Sequence, residues 1–263
     1  MQAIQNLLTL MEDLRHPETG CSWDKKQDFE SLIPYVLEEA YEVVDAIERG
    51  DTQDLRGELG DLLFQVVFQA QIAKEQGLFE FTDIAEAVTE KLIRRHPHVF
   101  SDVVYANEAL QKRAWESLKA SERQSKEQDN HRILSGVARN LPALVRCEKI
   151  QNRAAQHGFD WPMIEPVYDK VLEELDEVKE AWLLGDPEHI EEEIGDLLLV
   201  VVNLARHMQV NPEQALKKST QKFTDRFGYI EQQVLKSGRA VAECELAELD
   251  SLWNAAKKAL QNK

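Results

Sequence analysis

The chain has 263 residues and a formal net charge of −17, with 48 Asp and Glu residues against 31 Lys and Arg. Proteins that bind nucleic acid without regard to sequence need a basic face, so this balance argues against a nucleic-acid partner. It suits a protein whose carboxylates bind divalent cations. The three cysteines match no metal-binding pattern and are expected to be reduced thiols. No apolar run is long enough to span a bilayer, so we predict a cytoplasmic protein without a membrane partner.

The first half of the chain is predicted to be a series of helices. Polar residues at helical spacing in "MQAIQNLLTLMEDLRH" (1–16) indicate an amphipathic helix rather than a secretory signal. A second helix in "SLIPYVLEEAYEVVDAIER" (31–49) is predicted to end at Gly50 in a left-handed C-cap. Asp51 is then expected to cap a third helix that runs to about residue 75. Another helix follows in "TDIAEAVTEKLIRR" (82–95), and a last one lies beyond it.

The second half repeats the first. With residue n placed over residue n + 135, "YVLEEAYEVV" (35–44) falls on "KVLEELDEVK" (170–179), and "ELGDLL" (58–63) falls on "EIGDLL" (193–198). The offset changes to 131 in the next helix and to 138 in the last one, as loops of different length would produce. A period this long indicates a duplicated domain rather than a solenoid repeat.

We predict two helical domains, at residues 1–120 and 133–263, joined by a polar linker at 121–132. The linker prediction rests on "KASERQSKEQDNHR" (119–132), which is charged and has no apolar anchor. Each half has about four predicted helices and no convincing strand. The expected fold class is therefore all-α, with duplicated four-helix-type bundle domains.

Acidic residues three apart occur on both central helices of each half. Residues i and i+3 share a helix face, and the short turn at Gly50 should pack the two helices antiparallel. The acidic pairs lie at similar distances from that turn, so four carboxylates are expected to converge in each half. They are Glu39, Glu42, Glu58 and Asp61 in the first half and Glu174, Glu177, Glu193 and Asp196 in the second.

Four converging carboxylates need a counter-charge in a half-buried site. Because every ligand would be an oxygen, a hard divalent cation, Mg²⁺ or Mn²⁺, is favoured. A di-iron carboxylate site would need Glu-x-x-His pairs, and neither half has a histidine at the required position. The other interpretation is a helical interaction module, whose solvated acidic faces pair with lysines or bind a protein partner. Recurrence of the same spacing in both halves favours the metal site.

Basic and aromatic side chains also recur between the halves. A lysine and an arginine four residues apart share a face of one helix, and a tryptophan and a lysine four apart share a face of the last helix. Cations near a carboxylate-bound metal can bind a triphosphate, and a tryptophan can stack on a nucleobase. These residues are Lys91, Arg95, Trp115 and Lys119 in the first half and Lys222, Arg226, Trp253 and Lys257 in the second.

Several motifs together resemble one family. They are "GCSWDKKQ" (20–27), the acidic pairs of each half, "RRHPHVF" (94–100), "GFDW" (158–161) and the basic and aromatic residues of the second half. In this combination the chain closely resembles the MazG family of two-copy bacterial nucleoside triphosphate pyrophosphohydrolases, over nearly its whole length. The roles of His96 and His98 stay open, since they could lie near a phosphate or simply follow a helix end.

The resemblance implies an all-α, Mg²⁺-dependent enzyme that hydrolyses NTPs and dNTPs to monophosphates and pyrophosphate, with broad base tolerance and as a homodimer. It implies that both acidic quartets match metal ligands, that Lys222 and Arg226 contact phosphates, and that Trp253 contacts the base. Lys257 matches an essential basic residue nearby, and Lys170 fits a further nucleotide contact. A carboxylate could orient the attacking water, and the candidates are Glu38, Glu173 and Glu192.

The two halves are not equivalent. Tyr35 stands where the second half has Lys170, and Arg56-Gly57 stands where it has Glu191-Glu192. We therefore expect the second half to be the better triphosphate site. The first half is expected to be a weaker enzyme, a differently selective one, or a module that builds the dimer. A narrower dUTP- or dCTP-type pyrophosphatase is the near alternative in substrate, and a regulatory protein partner stays open.

Overall fold

A computed structural model of the protein describes residues 2–126 and 133–260. These residues form eleven α-helices and two 3₁₀ turns, Asp24–Lys26 and Val241–Glu243, without a strand. The predicted all-α fold class is thereby confirmed. The chain divides into two compact units, residues 1–126 and 127–263. Across the described residues, no helix has the length and apolar character needed to cross a membrane.

The first unit is organised around a helical hairpin. Its helices are α1 Gln2–Leu14, α2 Ile33–Arg49, α3 Thr52–Glu75, α4 Phe81–Arg95, α5 Pro97–Phe100 and α6 Glu108–Lys126. Helices α2 and α3 pack against each other, α1 covers α3, and α4 contacts both α3 and α6. The hairpin is thus held by a covering helix on one side and by the α4–α6 pair on the other.

The second unit repeats this plan. Its helices are α7 Ala143–Gln156, α8 Glu165–Leu184, α9 Pro187–His207, α10 Pro212–Lys236 and α11 Leu246–Leu260. Helices α8 and α9 form the hairpin, α7 covers α9, and α10 packs along α11. The described residues form six α-helices in the first unit and five in the second, against about four expected in each. The amphipathic helix predicted at residues 1–16 is α1, and α7 covers the hairpin of the second unit in the same way.

The turn inside each hairpin follows its sequence signals. Gly50 has φ 69° and Gly185 has φ 71°, the left-handed conformation that favours glycine. Asp51 and Asp186 follow them as N-caps, and each side chain accepts hydrogen bonds from the backbone N–H groups two and three residues on. The predicted caps are confirmed in both units. Because the two turns are identical, the acidic residues of both hairpins lie at equivalent distances from the turn.

The core of the first unit lies where α1 covers α3. Met11, Leu32, Val67, Phe68 and Ile72 form a cluster in which no residue is more than 2% exposed. Each such side chain contributes about 1.5–3 kcal/mol by leaving water. This cluster packs around the C-terminal half of α3, which follows its acidic residues.

Helix α6 extends further than its polar composition predicted. It ends at Lys126, so residues 121–126, which were assigned to the linker, are helical. Polar residues do not end a helix when no glycine or proline interrupts them. In addition, Glu122 accepts hydrogen bonds from Arg94 and Arg95 of α4. Residues 127–132 of the predicted linker lie outside the described residues, and the domain boundaries stay predictions.

Replacing Phe68 by alanine is expected to lower the free energy of unfolding of the first unit by about 3–5 kcal/mol, because a buried ring would leave a cavity. Urea denaturation followed by circular dichroism measures this loss. The control Val66→Ala, at an exposed side chain of the same helix, should change it by less than about 1 kcal/mol. Equal losses in the two variants would contradict the packing of α1 on α3.

Candidate active site

The acidic pairs of α8 and α9 meet in the second unit. Carboxylate oxygens of Glu174, Glu177 and Glu193 all lie within 4.8 Å of one another. Glu174 is only 4% exposed, which makes it a rare buried carboxylate. Asp196 lies one turn further along α9, is exposed, and falls outside this group. The structure therefore brings together three of the four carboxylates predicted to converge here.

The hairpin of the first unit also gathers three carboxylates. Oxygens of Glu39, Glu58 and Asp61 all lie within 4.8 Å of one another. Glu42 falls outside this group, yet its charge and a hydrogen bond from its side chain raise the pKa of both Glu39 and Glu58. The two units thus share the positions of Glu39 and Glu58 and differ in which third carboxylate closes the group.

Crowding of like charges makes these clusters unfavourable as they stand. Burial raises the pKa of Glu39, Glu58 and Glu177, and neighbouring carboxylates raise it further: Asp61 for Glu39, Glu42 for Glu58 and Glu174 for Glu177. A divalent cation would reverse this effect, because it favours the ionised form of every ligand. An all-oxygen donor set of this kind fits Mg²⁺ or Mn²⁺.

Two basic side chains contact the carboxylates of the second unit. Lys170 Nζ lies 2.7 Å from Glu174 Oε1 and 2.8 Å from Glu173 Oε1, and these hydrogen bonds raise the pKa of Lys170. His189 Nε2 lies 3.0 Å from Glu193 Oε1. Sequence reasoning missed His189, although its position four residues before Glu193 on the same helix was a usable signal. The second cluster therefore has partial counter-charges that the first lacks at the corresponding Tyr35 and Asp54.

The basic and aromatic residues of the first unit come together between α4 and α6. Lys91, Arg95 and Lys119 line one cavity, and the Arg95 guanidinium lies 5.6 Å from the centre of the Trp115 ring. Carboxylates already pair with Arg95 and Lys119 of this group. Lys119 Nζ pairs with Glu116 at 2.9 Å. Hydrogen bonds from Arg95 and Arg94 lower the pKa of Glu122 to about 2.

The corresponding residues of the second unit gather between α10 and α11. Lys222 and Arg226 line a shared cavity, and the Arg226 guanidinium lies 5.4 Å from the centre of the Trp253 ring. Phe223 packs against the same tryptophan, with ring centres 5.1 Å apart. Neither Lys222 nor Arg226 forms an ion pair with any described residue. At the offset of 138 that aligns Trp115 with Trp253, Leu260 stands where the first unit has Glu122.

The remaining predicted residues are separate from these groups. Glu38 and Glu192 are exposed, and Lys257 Nζ donates to Asn254 Oδ1 at 3.2 Å. Within the described residues, no hydrogen bond, ion pair or ring contact joins either basic and aromatic group to the carboxylate cluster of its unit. The structure thus forms the two parts of each predicted site but does not bring them into direct contact.

The histidines of "RRHPHVF" pack between α4 and α6. The His96 ring centre lies 4.7 Å from that of Trp115. His98 Nε2 accepts a hydrogen bond from the amide of Gln111 at 3.0 Å, and the buried Nδ1 of His98 has no partner among the described residues. Neither histidine contacts the acidic cluster, so their observed contacts are with the aromatic and polar residues of the first unit.

Comparison with known proteins identifies the family. The model of the MazG nucleotide pyrophosphohydrolase domain matches the chain twice, at residues 27–100 and 165–229. The chain belongs to this family. Each match contains one acidic hairpin, and membership makes the protein a hydrolase, as the sequence analysis predicted.

Several relatives align over the whole chain. The nucleoside triphosphate pyrophosphohydrolase of Escherichia coli strain K12 is 49% identical over 98% of each chain. The nucleoside triphosphate pyrophosphohydrolase/pyrophosphatase MazG of Thermotoga maritima is 45% identical over 96% of this chain and 95% of its own. The nucleoside triphosphate pyrophosphohydrolase of Mycobacterium tuberculosis matches a shorter part and is 36% identical over 60% of this chain.

We expect the first acidic cluster to destabilise the protein at neutral pH when no divalent cation is present. The folded pKa of Glu39 and Glu58 lies above the ordinary value of 4.5, so the folded state binds more protons than the unfolded state does. Stability should therefore fall as pH rises from the ordinary pKa through the raised one. Glu58→Gln should raise the melting temperature at pH values above that range without metal.

With added Mg²⁺, the melting temperature of wild type should rise above that of Glu58→Gln, because wild type keeps all its metal ligands. Differential scanning calorimetry with and without Mg²⁺ measures both effects. The control Glu90→Gln removes an exposed carboxylate of α4 and should respond like wild type. A melting temperature that Glu58→Gln lowers in the absence of metal would contradict the repulsion argument.

Proposed function

We propose that the protein is a Mg²⁺-dependent nucleoside triphosphate pyrophosphohydrolase, which converts NTPs and dNTPs to monophosphates and pyrophosphate and works mainly in its second unit. The observation that carries the assignment to the second unit is the unpaired state of Lys222 and Arg226 among the described residues. Their counterpart Arg95 is neutralised by Glu122, whereas Leu260 replaces that carboxylate in the second unit. Among the described residues, the second group offers two cations without an ion pair to a triphosphate, whereas the first group offers Lys91 alone.

The activity for which the full-length relatives are named supports the reaction. The chain covers 98% of the Escherichia coli protein and 95% of the Thermotoga maritima protein, so the similarity extends over both units. The reaction is inferred from these relatives, and the choice of the second unit is inferred from the residues of this chain.

The metal would be held by Glu174, Glu177 and Glu193, with Asp196 one turn away on α9. Bound there, Mg²⁺ or Mn²⁺ would offset the negative charge of the phosphates. Lys170 can leave Glu174 for a phosphate oxygen only when another positive charge takes its place, since Glu174 is buried. We assign Lys170 to the triphosphate on this ground.

The remaining polar residues have the following roles in the proposal. Lys222, Arg226 and Lys257 bind phosphate oxygens through charge-assisted hydrogen bonds. Glu173 or Glu192, both exposed and outside the cluster, accepts a proton from the attacking water. Trp253 stays the base contact predicted by the resemblance, and base tolerance is part of the proposal because stacking does not distinguish bases.

The first unit is assigned a weaker or supporting role. Glu39, Glu42, Glu58 and Asp61 would still hold a divalent cation, so the unit can contribute to metal binding. Its Lys91, Arg95, Trp115 and Lys119 would bind a triphosphate less well, because Glu116 pairs with Lys119, and Glu122 pairs with Arg95 and the neighbouring Arg94. A narrower substrate range in either unit would appear as a preference within a panel of bases.

The homodimer is also part of the proposal. Helix α8 exposes a run of large apolar side chains near its end, with Trp182, Leu183 and Leu184 each at least 68% exposed. An apolar surface of this kind on a soluble enzyme is typical of an interface with another subunit. A cytoplasmic location is in keeping with the three free cysteines.

Glu193→Gln is expected to reduce pyrophosphate release by at least about 100-fold, because it removes one ligand charge from the cluster of the working unit. Glu58→Gln, the equivalent change in the first unit, should keep most of the activity. The measurement is pyrophosphate release from a panel of NTPs and dNTPs with Mg²⁺. Loss of activity only in Glu58→Gln would move the working site to the first unit, and no release by wild type on any base would refute the proposed reaction.

The difference between Glu122 in the first unit and Leu260 in the second gives a second test of the same proposal. Introducing the carboxylate of the first unit into the second, as Leu260→Glu, should neutralise Arg226 and raise KM for ATP by about tenfold. The matched control Leu246→Glu adds the same charge at an exposed position of α11 and should leave KM unchanged. Equal KM values in the two variants would contradict the role of the unpaired cations.

A glutamate in place of Leu183 should prevent dimer formation, because a charge would have to be buried in the apolar contact. Sedimentation velocity gives the mass of each variant. Lys179→Glu, a charge change at an exposed position of the same helix, serves as the control and should remain a dimer. A wild-type protein that sediments as a monomer at all concentrations would refute this part of the proposal.

A further inference from the structure

The first unit contains a buried side-chain amide with an unpaired oxygen. Gln65 of α3 is 6% exposed, and its buried Oε1 accepts no hydrogen bond from any described residue. An amide oxygen that leaves water without finding a partner lowers the free energy of unfolding. Folded proteins keep few such groups, so this oxygen indicates a partner that the chain itself does not supply.

Gln65 lies on the face of α3 that carries the acidic cluster. It follows Glu58 by seven residues and Asp61 by four, so the three positions fall within about 60° of one another around the helix axis. Side chains of an α-helix tilt toward its N-terminus and cover the turn before their own. The amide of Gln65 is therefore directed back along α3 to the turn of Asp61. It approaches the cluster from the side away from the hairpin turn.

The layer one turn beyond the cluster differs between the two units. In the first unit it consists of Tyr35 of α2 and Gln65 of α3, and at the offset of 135 the second unit has Lys170 and Val200. Lys170 Nζ lies 2.7 Å from Glu174 Oε1, and Val200 is a buried apolar residue. At this layer the second unit thus supplies a cation to its own cluster, whereas the first unit supplies an oxygen.

No cation of the first unit pairs with its acidic cluster within the described residues. Arg49, at the end of α2, pairs instead with Asp45, Asp51 and Asp54 around the hairpin turn. An amide oxygen beside three carboxylates adds partial negative charge to a group that already lacks a counter-charge. The partner that this group needs is therefore a cation from outside the chain.

The oxygens of the first unit suit a hard divalent cation. Amide oxygens occur beside carboxylates among the ligands of such cations, and groups around a metal site also bond to its ligands. Gln65 adds an uncharged oxygen to the three carboxylates of the cluster. Because no side chain has to leave before a cation binds, the protein alone should bind it tightly.

A cation that binds the second unit must compete with side chains already in place. Lys170 contacts Glu174 at 2.7 Å, and His189 contacts Glu193 at 3.0 Å. Displacing Lys170 leaves its charge beside the metal unless a phosphate accepts it. We therefore expect the second unit to bind a divalent cation weakly until a triphosphate is present.

We propose that the first unit holds a resident divalent cation in the absence of nucleotide, with the Gln65 amide oxygen bound to that cation or to one of its waters. This inference rests on the proposed function in so far as both acidic clusters bind metal. The resident cation joins α2 to α3 and is structural. The second unit takes up its own cation together with the triphosphate.

Mn²⁺ binding without nucleotide tests the order of the two affinities. Electron paramagnetic resonance measures it with one unit disabled at a time: Glu193→Gln leaves the first unit intact, and Glu58→Gln leaves the second. The first unit should bind Mn²⁺ at least about tenfold more tightly than the second. Equal affinities, or tighter binding by the second unit, would overturn the proposal.

Exchanging the layer residues between the units tests their roles. In the Glu193→Gln background, Gln65→Val copies the second unit and should weaken Mn²⁺ binding about tenfold. The matched control Gln53→Val, at an exposed position of the same helix, should leave binding unchanged. In the Glu58→Gln background, Lys170→Tyr copies the first unit and should strengthen Mn²⁺ binding. Unchanged binding in either exchange would overturn the role assigned to the exchanged residue.

Thermal melting shows whether Gln65→Val acts through the metal or through the fold. Without a divalent cation the variant should melt at or above the temperature of wild type, because it removes an unpaired buried acceptor. With Mg²⁺ it should gain less than wild type does. A melting temperature that Gln65→Val lowers in the absence of metal would show that the amide is bonded within the protein, and would overturn the proposal.

Activity separates failure of this inference from failure of the proposed function. A wild type that releases pyrophosphate, with Mn²⁺ binding unaffected by Gln65→Val, would refute the resident cation site and retain the reaction. A wild type that releases no pyrophosphate, with tight Mn²⁺ binding that Gln65→Val weakens, would refute the reaction and retain the resident cation.

Discussion

Repulsion between carboxylates is the constraint on which the rest of this protein depends. Each helical hairpin places acidic residues against one another at the edge of an apolar core, and burial together with neighbouring charge raises the pKa of Glu39, Glu58 and Glu177. The rigid parts of the fold resist the separation that repulsion favours. A two-residue turn with a left-handed glycine fixes the start of each hairpin, and a covering helix holds its apolar face. The resulting clusters are the places where we propose that a divalent cation binds.

The duplication allows the two units to be compared position by position. Both units share the hairpin, the acidic cluster and the basic and aromatic group. Three replacements distinguish the second unit: Lys170 for Tyr35, Asn203 for Phe68 and Leu260 for Glu122. Lys170 adds a cation beside the carboxylate cluster, and Asn203 lines a cavity. Leu260 leaves Arg226 without an ion pair among the described residues. In the first unit Tyr35 and Phe68 pack against Trp23, and Glu122 pairs with Arg95.

Local signals in the sequence predicted the fold well. The helix caps, the hairpin turns and the convergence of acidic residues each depend on residues close together along the chain, or on the spacing of a repeat. Residues 121–126, which were predicted as part of the linker, are helical, because charged residues can continue a helix when a distant partner, here Arg94 or Arg95 for Glu122, holds them.

The site was predictable only in part. Asp196 and Glu42 fall outside the tight groups although their counterparts Asp61 and Glu177 fall inside, so equal spacing cannot tell which three carboxylates meet. The contact of His189 with Glu193 had a readable i,i+4 spacing that was not used. The cavity was not predictable, since it results from how α7 packs on α9 around a buried asparagine.

The most direct test of the carboxylate account is Mn²⁺ binding measured by electron paramagnetic resonance, without nucleotide and at neutral pH. Wild type is predicted to bind Mn²⁺, and Glu193→Gln and Glu58→Gln are each predicted to lose the binding of one unit, with the double variant losing both. Mn²⁺ binding by the double variant equal to that of wild type would show that the cation is held elsewhere and would contradict the account.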